Sequence, residues 1–404
     1  MAEATRSKRH FGAIRLLPSG RYQARYPDRT GRYRSAPNTF ATKTAAAKYL
    51  STMEGQLNRG EWIDPAAGKI CFEDWAQRWW QTTTGLRPST RARDASYLNS
   101  LILPEFGDVA LADIDHLAVT SWVAELGTTK SAATVVKAAQ ILAKALQSAV
   151  HSELLRSNPC DRVSLPRVER SEMRFLTPGQ VLDLAAAVDP RYRAAVFVAA
   201  YGGLRAGELF ALRRSRVDLL RGQLDISKTD SNLVEVRGTL HFNRPKTKAS
   251  QRVVPIPKVV IRELERHLDQ LDSVEPNALL FPNSASGPVR LNLWRRRIWI
   301  PAAVKAGLGT VTKIDKKREH YEGLRIHDLR HTAVALWIEA GAPPNEIAAR
   351  AGHTSVVTVL DRYGHLLPGA DDRVTTALDR IADDARPTRE AHVVDLNSRG
   401  TGGH

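Results

Sequence analysis

The 404-residue chain has only two cysteines, Cys71 and Cys160. Two are too few for a disulfide framework, which points to a reducing compartment. Long apolar runs are also missing. The longest clean stretch, Ala194 to Tyr201, falls far short of the roughly 20 residues that cross a bilayer. The N-terminus is basic, but no apolar run follows Ala13, so no signal peptide is expected. Acidic residues are scarce beside basic ones, 43 against 59, for a formal net charge of +16. A surplus of that sign attracts polyanions, nucleic acid first among them. Membrane, secreted and collagen-like classes are thereby excluded. What is present, 43% hydrophobic and 25% charged residues, is the balance of an ordinary globular protein, long enough for two or three domains.

The fold class expected is α+β, mainly helical. Residues 1–64 hold twelve Lys and Arg against five Asp and Glu, or +7. Ala13–Leu17, Tyr22–Tyr26 and Arg32–Arg34 read as three short strands around the turns Pro18-Ser19-Gly20 and Pro27–Gly31, followed by a helix from about Thr44 to Asn58. Such a sheet could lay Arg21, Arg25, Arg32 and Arg34 on a DNA groove, or simply be a solvated basic face. Residues 65–165 read as helical, with helices near Ile70–Gln81, from Arg87, Leu111–Leu126 and Ala132–Leu155. Trp75, Trp79 and Trp80 sit at helical spacing, more often core than contact. Residues 166–174 form a Pro- and charge-rich linker. Residues 175–380 mix helices with three strand candidates, Leu224–Ile226, Val234–Phe242 and Arg252–Ile256. Residues 381–404 read as a disordered tail.

Four segments of the third region carry candidate chemistry. In Gly202-Gly203-Leu204-Arg205-Ala206-Gly207-Glu208-Leu209 a helix restarts with Arg205 at its N-terminus, a place for a phosphate, and Glu208 can orient that guanidinium. Lys246 lies in a basic hairpin tip, Arg244 to Arg252. His327 and Arg330 share one face of a helix start. His353 follows Gly352, and Tyr363 lies ten residues on. The first two have bland readings, a surface salt bridge after a glycine turn and a solvated tip. Pro344–Val359 also resembles a helix-turn-helix, which would make the chain a DNA-binding regulator and Tyr363 a packing residue.

Taken in order, Gly-Leu-Arg205-x-Gly-Glu-Leu, Lys246 in Pro-Lys-Thr, His327-x-Leu-Arg330-His, Gly-His353 and Tyr363 resemble the tyrosine recombinases, the lambda-type phage integrases. The resemblance covers the whole chain. It implies an arm-site DNA-binding domain at 1–64, a core-site-binding domain at 65–165 and a catalytic domain at 175–380. It implies site-specific integration, and excision, of a mobile element through a 3′-phosphotyrosine on Tyr363. Arg205, Arg330 and His353 would hold the phosphate, Lys246 would protonate the leaving oxygen, and His327 would accept the tyrosine proton. Glu208 would orient Arg205, and no cofactor, metal or ATP would be used. The partners implied are duplex attachment sites, a homotetramer on DNA, an accessory DNA-bending protein and an excisionase, in the cytoplasm of a bacterial host at the nucleoid. A type IB topoisomerase, sharing the chemistry, is the nearest enzyme alternative. His331, about 100° round the helix from Arg330, is expected to be structural and His365 to pack. The Gly309–Gly323 loop is left without a role.

Overall fold

The computed structural model describes residues 10–60, 62, 67–169, 172–245, 247–271, 273–315, 319–366 and 370–384. The chain divides into two compact units, 1–171 and 172–404.

The first unit holds two cores. Strands β1 (Ala13–Leu16), β2 (Tyr22–Pro27) and β3 (Tyr33–Ser35) form an antiparallel sheet in that order. Strand alternation turns Ala24 and Tyr26 inward and leaves Arg25 exposed. Helix α1 (Lys43–Asn58), capped by the Thr42 hydroxyl accepting from the Ala45 N–H, lays Ala46 and Leu50 on them. The second core is helical: α2 (Phe72–Thr82), α3 (Pro88–Tyr97), α4 (Leu103–Phe106), α5 (His116–Thr129) and α6 (Ala132–His151). Its centre is Phe72, Trp75, Phe106 and Trp122 against the apolar face of α6, and Trp75 Nε1 donates to the Ala145 carbonyl at 2.8 Å. Residues 111–126 are not one helix. Leu111–Asp113 is a single 3-10 turn, and Asp115 then caps α5 by accepting from the Ala118 N–H at 2.7 Å. An Asp side chain that satisfies a free helix-end N–H favours a start there over continuation from the turn before.

The second unit opens with α7 (Pro178–Ala187), started by the Thr177–Gln180 capping box, and α8 (Arg193–Gly202), whose residues Ala194 to Ala200 are all buried. After α9 (Ala206–Leu209) come β4 (Val217–Asp218), β5 (Gln223–Asp225), the hairpin β6 (Asn232–Val236) and β7 (Thr239–Asn243), and β8 (Val253–Pro255). Strands β4, β5 and β8 make a small antiparallel sheet. The expected strand Val234–Phe242 is therefore two strands. Arg237 (φ 49°) and Gly238 (φ 79°) are both left-handed, the backbone that a two-residue hairpin turn needs. Next are α10 (Lys258–Asp269), α11 (Leu291–Trp294), which passes through a π turn into α12 (Ile300–Lys305), and the hairpin β9 (Gly309–Lys313) and β10 (Glu319–Gly323). The segment read as a loop from Gly309 to Gly323 is thus a hairpin in its described residues. A Cβ on Gly323 would lie 2.4 Å from the Gly309 Cα, so its base closes only with glycine. The chain continues as α13 (Ile326–Glu339), α14 (Pro344–Ala351), α15 (Val357–Tyr363) and α16 (Ala370–Asp384). Helix α16 carries regular structure past 380, and the rest of the expected disordered tail lies outside the described residues.

Candidate active site

Three turns bring the candidate residues together. The first ends α8. Gly203 takes a left-handed φ of 64°, and a Cβ there would sit 2.7 Å from the Trp337 ring. Glycine is required both by the dihedral and by the close approach of α13. Two residues on, Arg205 caps α9, and its backbone N–H donates to Glu208 Oε2 at 3.0 Å. The second turn precedes α13, where the Arg325 N–H donates to Asp328 Oδ2 at 2.7 Å. Both helices that carry a site arginine thus start with the same device, an Arg cap and an acid three residues later that satisfies a free helix-end N–H. The third turn joins α14 to α15 through Gly352, left-handed at φ 65°, and presents His353.

The guanidiniums interlock these turns. Arg330, 3% exposed, donates through Nη1 to the Gly203 carbonyl at 2.6 Å and through Nη2 to the Ala351 carbonyl. Arg205 Nη2 donates to the next carbonyl, that of Gly352, at 3.0 Å, and Nη1 to Glu208 Oε1 at 2.8 Å. Consecutive carbonyls therefore hold the two arginines side by side, with His353 the next residue along. Burial, then the charge of Arg205, pulls Arg330 below the usual guanidinium range. Crowded like charge of this kind is relieved by a bound anion. Burial alone would raise the Glu208 carboxyl, but Arg252 and then Arg205 hold it below the usual carboxylate range. His353 is pushed down to about 4 by burial and then by Arg330 and Arg205, and its Nδ1 is buried with no hydrogen-bond partner among the described residues. It is a neutral imidazole at pH 7.

Tyr363 ends α15 and is 2% exposed. Its hydroxyl meets His331 Nδ1 at 2.6 Å, a geometry suited to a phenol O–H donating to an unprotonated nitrogen. Burial raises the phenol and lowers the His331 imidazole, so both are neutral. This differs from the expectation that His331 is merely structural. His327 and His331 lie one turn apart on one face, rings 4.9 Å apart, and α15 covers that face at the level of His331 while His327 stays exposed at the helix start. His331 does point about 100° away from Arg330, but α15 lies on that other side, which the sequence alone does not show. The i, i+4 histidine pair was the available signal. His365 is exposed, its ring 6.5 Å from that of Phe175.

The helix pair α14 and α15 turns Ile347, Ala348, Ala351, Val359 and Tyr363 into one core with Ala333, Val334, Trp337 and Ile338 of α13. Lys246 lies outside the described residues. Its neighbours are placed: β7 ends at Asn243, and the Thr247 hydroxyl accepts from the Ser250 N–H at 3.2 Å in the turn leading to β8. In the first unit Arg25 and Arg32 are exposed, and Arg25 lies over the Tyr33 ring at 5.9 Å. Arg21 instead donates to Thr39, hydroxyl and carbonyl, at 2.7 and 2.6 Å, and Arg34 pairs with Asp28 at 2.9 Å.

Among known proteins, the family model described as Phage integrase family matches residues 174–369. Those for the phage integrase N-terminal domain and the N-terminal SAM-like domain match residues 10–59 and 71–127. A prophage phiRv2 integrase of Mycobacterium tuberculosis (strain ATCC 25618 / H37Rv) is 31% identical over 387 residues, covering 94% of this chain and 97% of the relative. The integrase of Mycobacterium phage L5 is 25% identical over 93% of this chain and 99% of its own length. In fold, the chain is similar to the Tn1549 transposon integrase in complex with transposon right end DNA, at TM-score 0.62 and 17% identity over 78% of this chain and 100% of that one. It is also similar to a lambda integrase tetramer bound to a Holliday junction, at TM-score 0.54 and 19% identity over 87% and 97%. With that likeness running nearly end to end, the chain belongs to the phage integrase family, the tyrosine-type site-specific recombinases.

Proposed function

We propose that the chain cleaves and rejoins duplex attachment sites through a covalent 3′-phosphotyrosine on Tyr363, integrating and excising a mobile element. The observation that carries this is the clamp: Arg330 and Arg205 on the consecutive carbonyls of Ala351 and Gly352, in contact with the turn of His353 and one helix from the Tyr363–His331 pair. Two fixed guanidiniums suit the two non-bridging oxygens of a phosphodiester, whose charge grows in the transition state. His353 adds a donor once it turns its N–H to the phosphate. Tyr363 attacks phosphorus, the P–O5′ bond breaks, and Lys246 protonates the departing oxygen. The tyrosine proton passes to a neutral imidazole, with His327 next to receive it once Tyr363 has left His331. The phosphotyrosine keeps the energy of the phosphodiester, so rejoining needs neither ATP nor metal.

The buried tyrosine sets a threshold. Releasing a fully buried aromatic side chain and one hydrogen bond costs about 3 kcal/mol, roughly a hundredfold in population. Specific DNA binding supplies several times that, so cleavage waits for DNA. Residues 1–64 are assigned to arm sites, 65–165 to core sites and 175–380 to catalysis. Exchange between two duplexes uses four active sites, hence a homotetramer on DNA, and the lambda integrase tetramer on a Holliday junction supports this. An accessory bending protein and an excisionase complete the reaction, in the cytoplasm of a bacterial host.

The test is trapping on nicked fragments of the DNA flanking the gene, resolved on a denaturing gel. A shifted band is expected, mapped to Tyr363 by peptide mass and absent in Tyr363→Phe, while that variant binds DNA within about twofold of wild type. Capture that survives in Tyr363→Phe would overturn the assignment.

A further inference from the structure

Six residues past Lys246 stands Arg252, an arginine with no part in the steps above. Its side chain is 7% exposed, against 35% for Arg205. Nη1 and Nη2 donate to the two carboxylate oxygens of Glu208, at 3.3 and 3.1 Å. Nε donates to the Arg350 carbonyl at the end of α14, at 2.6 Å, and Nη1 also to the Ser250 carbonyl at 3.1 Å. Its own carbonyl accepts from the Ile226 N–H at 2.8 Å, which ties it to the β5–β8 sheet. A Cβ on Gly352 would lie 3.0 Å from Arg252 Nη1, so the turn that presents His353 rests directly on this guanidinium. One planar group therefore joins the start of α9, the end of α14 and the strand that follows the Lys246 loop.

From these contacts we infer that Arg252 is a positioning residue for strand cleavage, acting on Arg205 through Glu208 and on His353 through the Arg350 carbonyl and the Gly352 turn. The inference rests on the recombinase reading. Glu208 accepts from Arg205 twice, through the backbone N–H and Nη1, and from Arg252 twice. Remove Arg252 and a carboxylate that is 2% exposed keeps one hydrogen-bonded ion-pair partner, the partly solvated Arg205. Its lowest-cost responses are to draw Arg205 inward or to take up a proton, and either misplaces the phosphate clamp. Lysine cannot substitute fully, because an ammonium cannot span two carboxylate oxygens and two carbonyls on three different segments.

The experiment uses the full chain as Arg252→Gln, Arg252→Lys, Glu208→Gln and the Arg252→Gln/Glu208→Gln double variant. Single-turnover phosphotyrosine formation is followed from pH 5 to 9, alongside DNA affinity. Arg252→Gln is expected to cleave on the order of 100-fold more slowly, a loss typical of misplaced catalytic groups, with DNA affinity within about twofold. Arg252→Lys falls between the two. Arg252→Gln also gains an acid limb, its rate falling as Glu208 protonates, and that limb vanishes in the double variant, which is no slower than Glu208→Gln alone. A normal rate in Arg252→Gln overturns the inference, as does a loss that adds to that of Glu208→Gln and brings no new limb. If wild type itself forms no phosphotyrosine, the functional reading fails instead. The coupling is then decided by a carbon-13 titration of Glu208 in the free protein, which Arg252→Gln must move upward.

Discussion

The two ends of this chain hold their arginines differently. In the N-terminal sheet, four arginines close in sequence separate into two kinds. Arg21, Arg25 and Arg32 are all exposed, but Arg21 and the half-buried Arg34 donate to Thr39 and to Asp28. Asp28 is the hub of a turn, also accepting from the Thr30 and Arg32 N–H groups at 2.9 and 3.0 Å. In the candidate site, Arg205, Arg252 and Arg330 all end on carbonyls of other segments. A surface arginine beside a turn acid can be spent on the turn, whereas a buried one must be satisfied by the fold itself. The sheet thus offers charge that DNA can screen, and the cluster offers charge whose direction is set before DNA arrives.

Glycine substitutions sharpen that contrast most. Gly203→Ala forces a left-handed φ and drives a Cβ to 2.7 Å from the Trp337 ring. A loss of about 2–4 kcal/mol is expected in urea unfolding, with cleavage abolished as the Gly203 carbonyl leaves Arg330. Gly31→Ala, at φ 81° with nothing within 4 Å, meets only the dihedral penalty, about 1 kcal/mol. Equal losses would mean the Gly203 turn is no tighter than a surface one.

The pH response comes next. His353 (about 4) and His331 are both held below the ordinary imidazole range, with burial the first cause. The unfolded chain then binds protons that the folded one does not, so this share of stability is complete above about pH 6.5 and drains as pH falls toward 4. Urea midpoints at pH 7 and 4.5 should drop markedly in wild type and less in His353→Gln. An unchanged drop would show that another group carries it.

The smallest effects fall on the sheet. Arg25→Ala should weaken DNA binding by about 5- to 10-fold and lower the salt slope by about 1. Arg34→Ala should change DNA affinity less and lose under about 1 kcal/mol of stability. If the two weaken DNA equally, the separation of exposed from engaged arginines has no functional weight.

Element starts were legible where one side chain decides them. Thr177 and Gln180 announce α7, and the Gly-Leu-Arg205 turn announces α9, because a cap or a left-handed residue acts within a few positions. The hairpin at Arg237–Gly238 is hidden in the sequence because apolar alternation runs through the turn and makes two strands look like one. The order Arg205, Lys246, His327, Arg330, His353, Tyr363 was readable as a family signature, and it specified which chemistry to look for. It said nothing about partners. That Tyr363 lies on His331, 32 residues away, and that Arg252 spans Glu208 and Arg350, 44 and 98 residues away, follows from which helix faces are buried against one another. Local chemistry in the chain settles where each element begins and which groups it carries. The direction of a buried polar group is settled only when distant segments pack, because only then do its few hydrogen-bond partners exist.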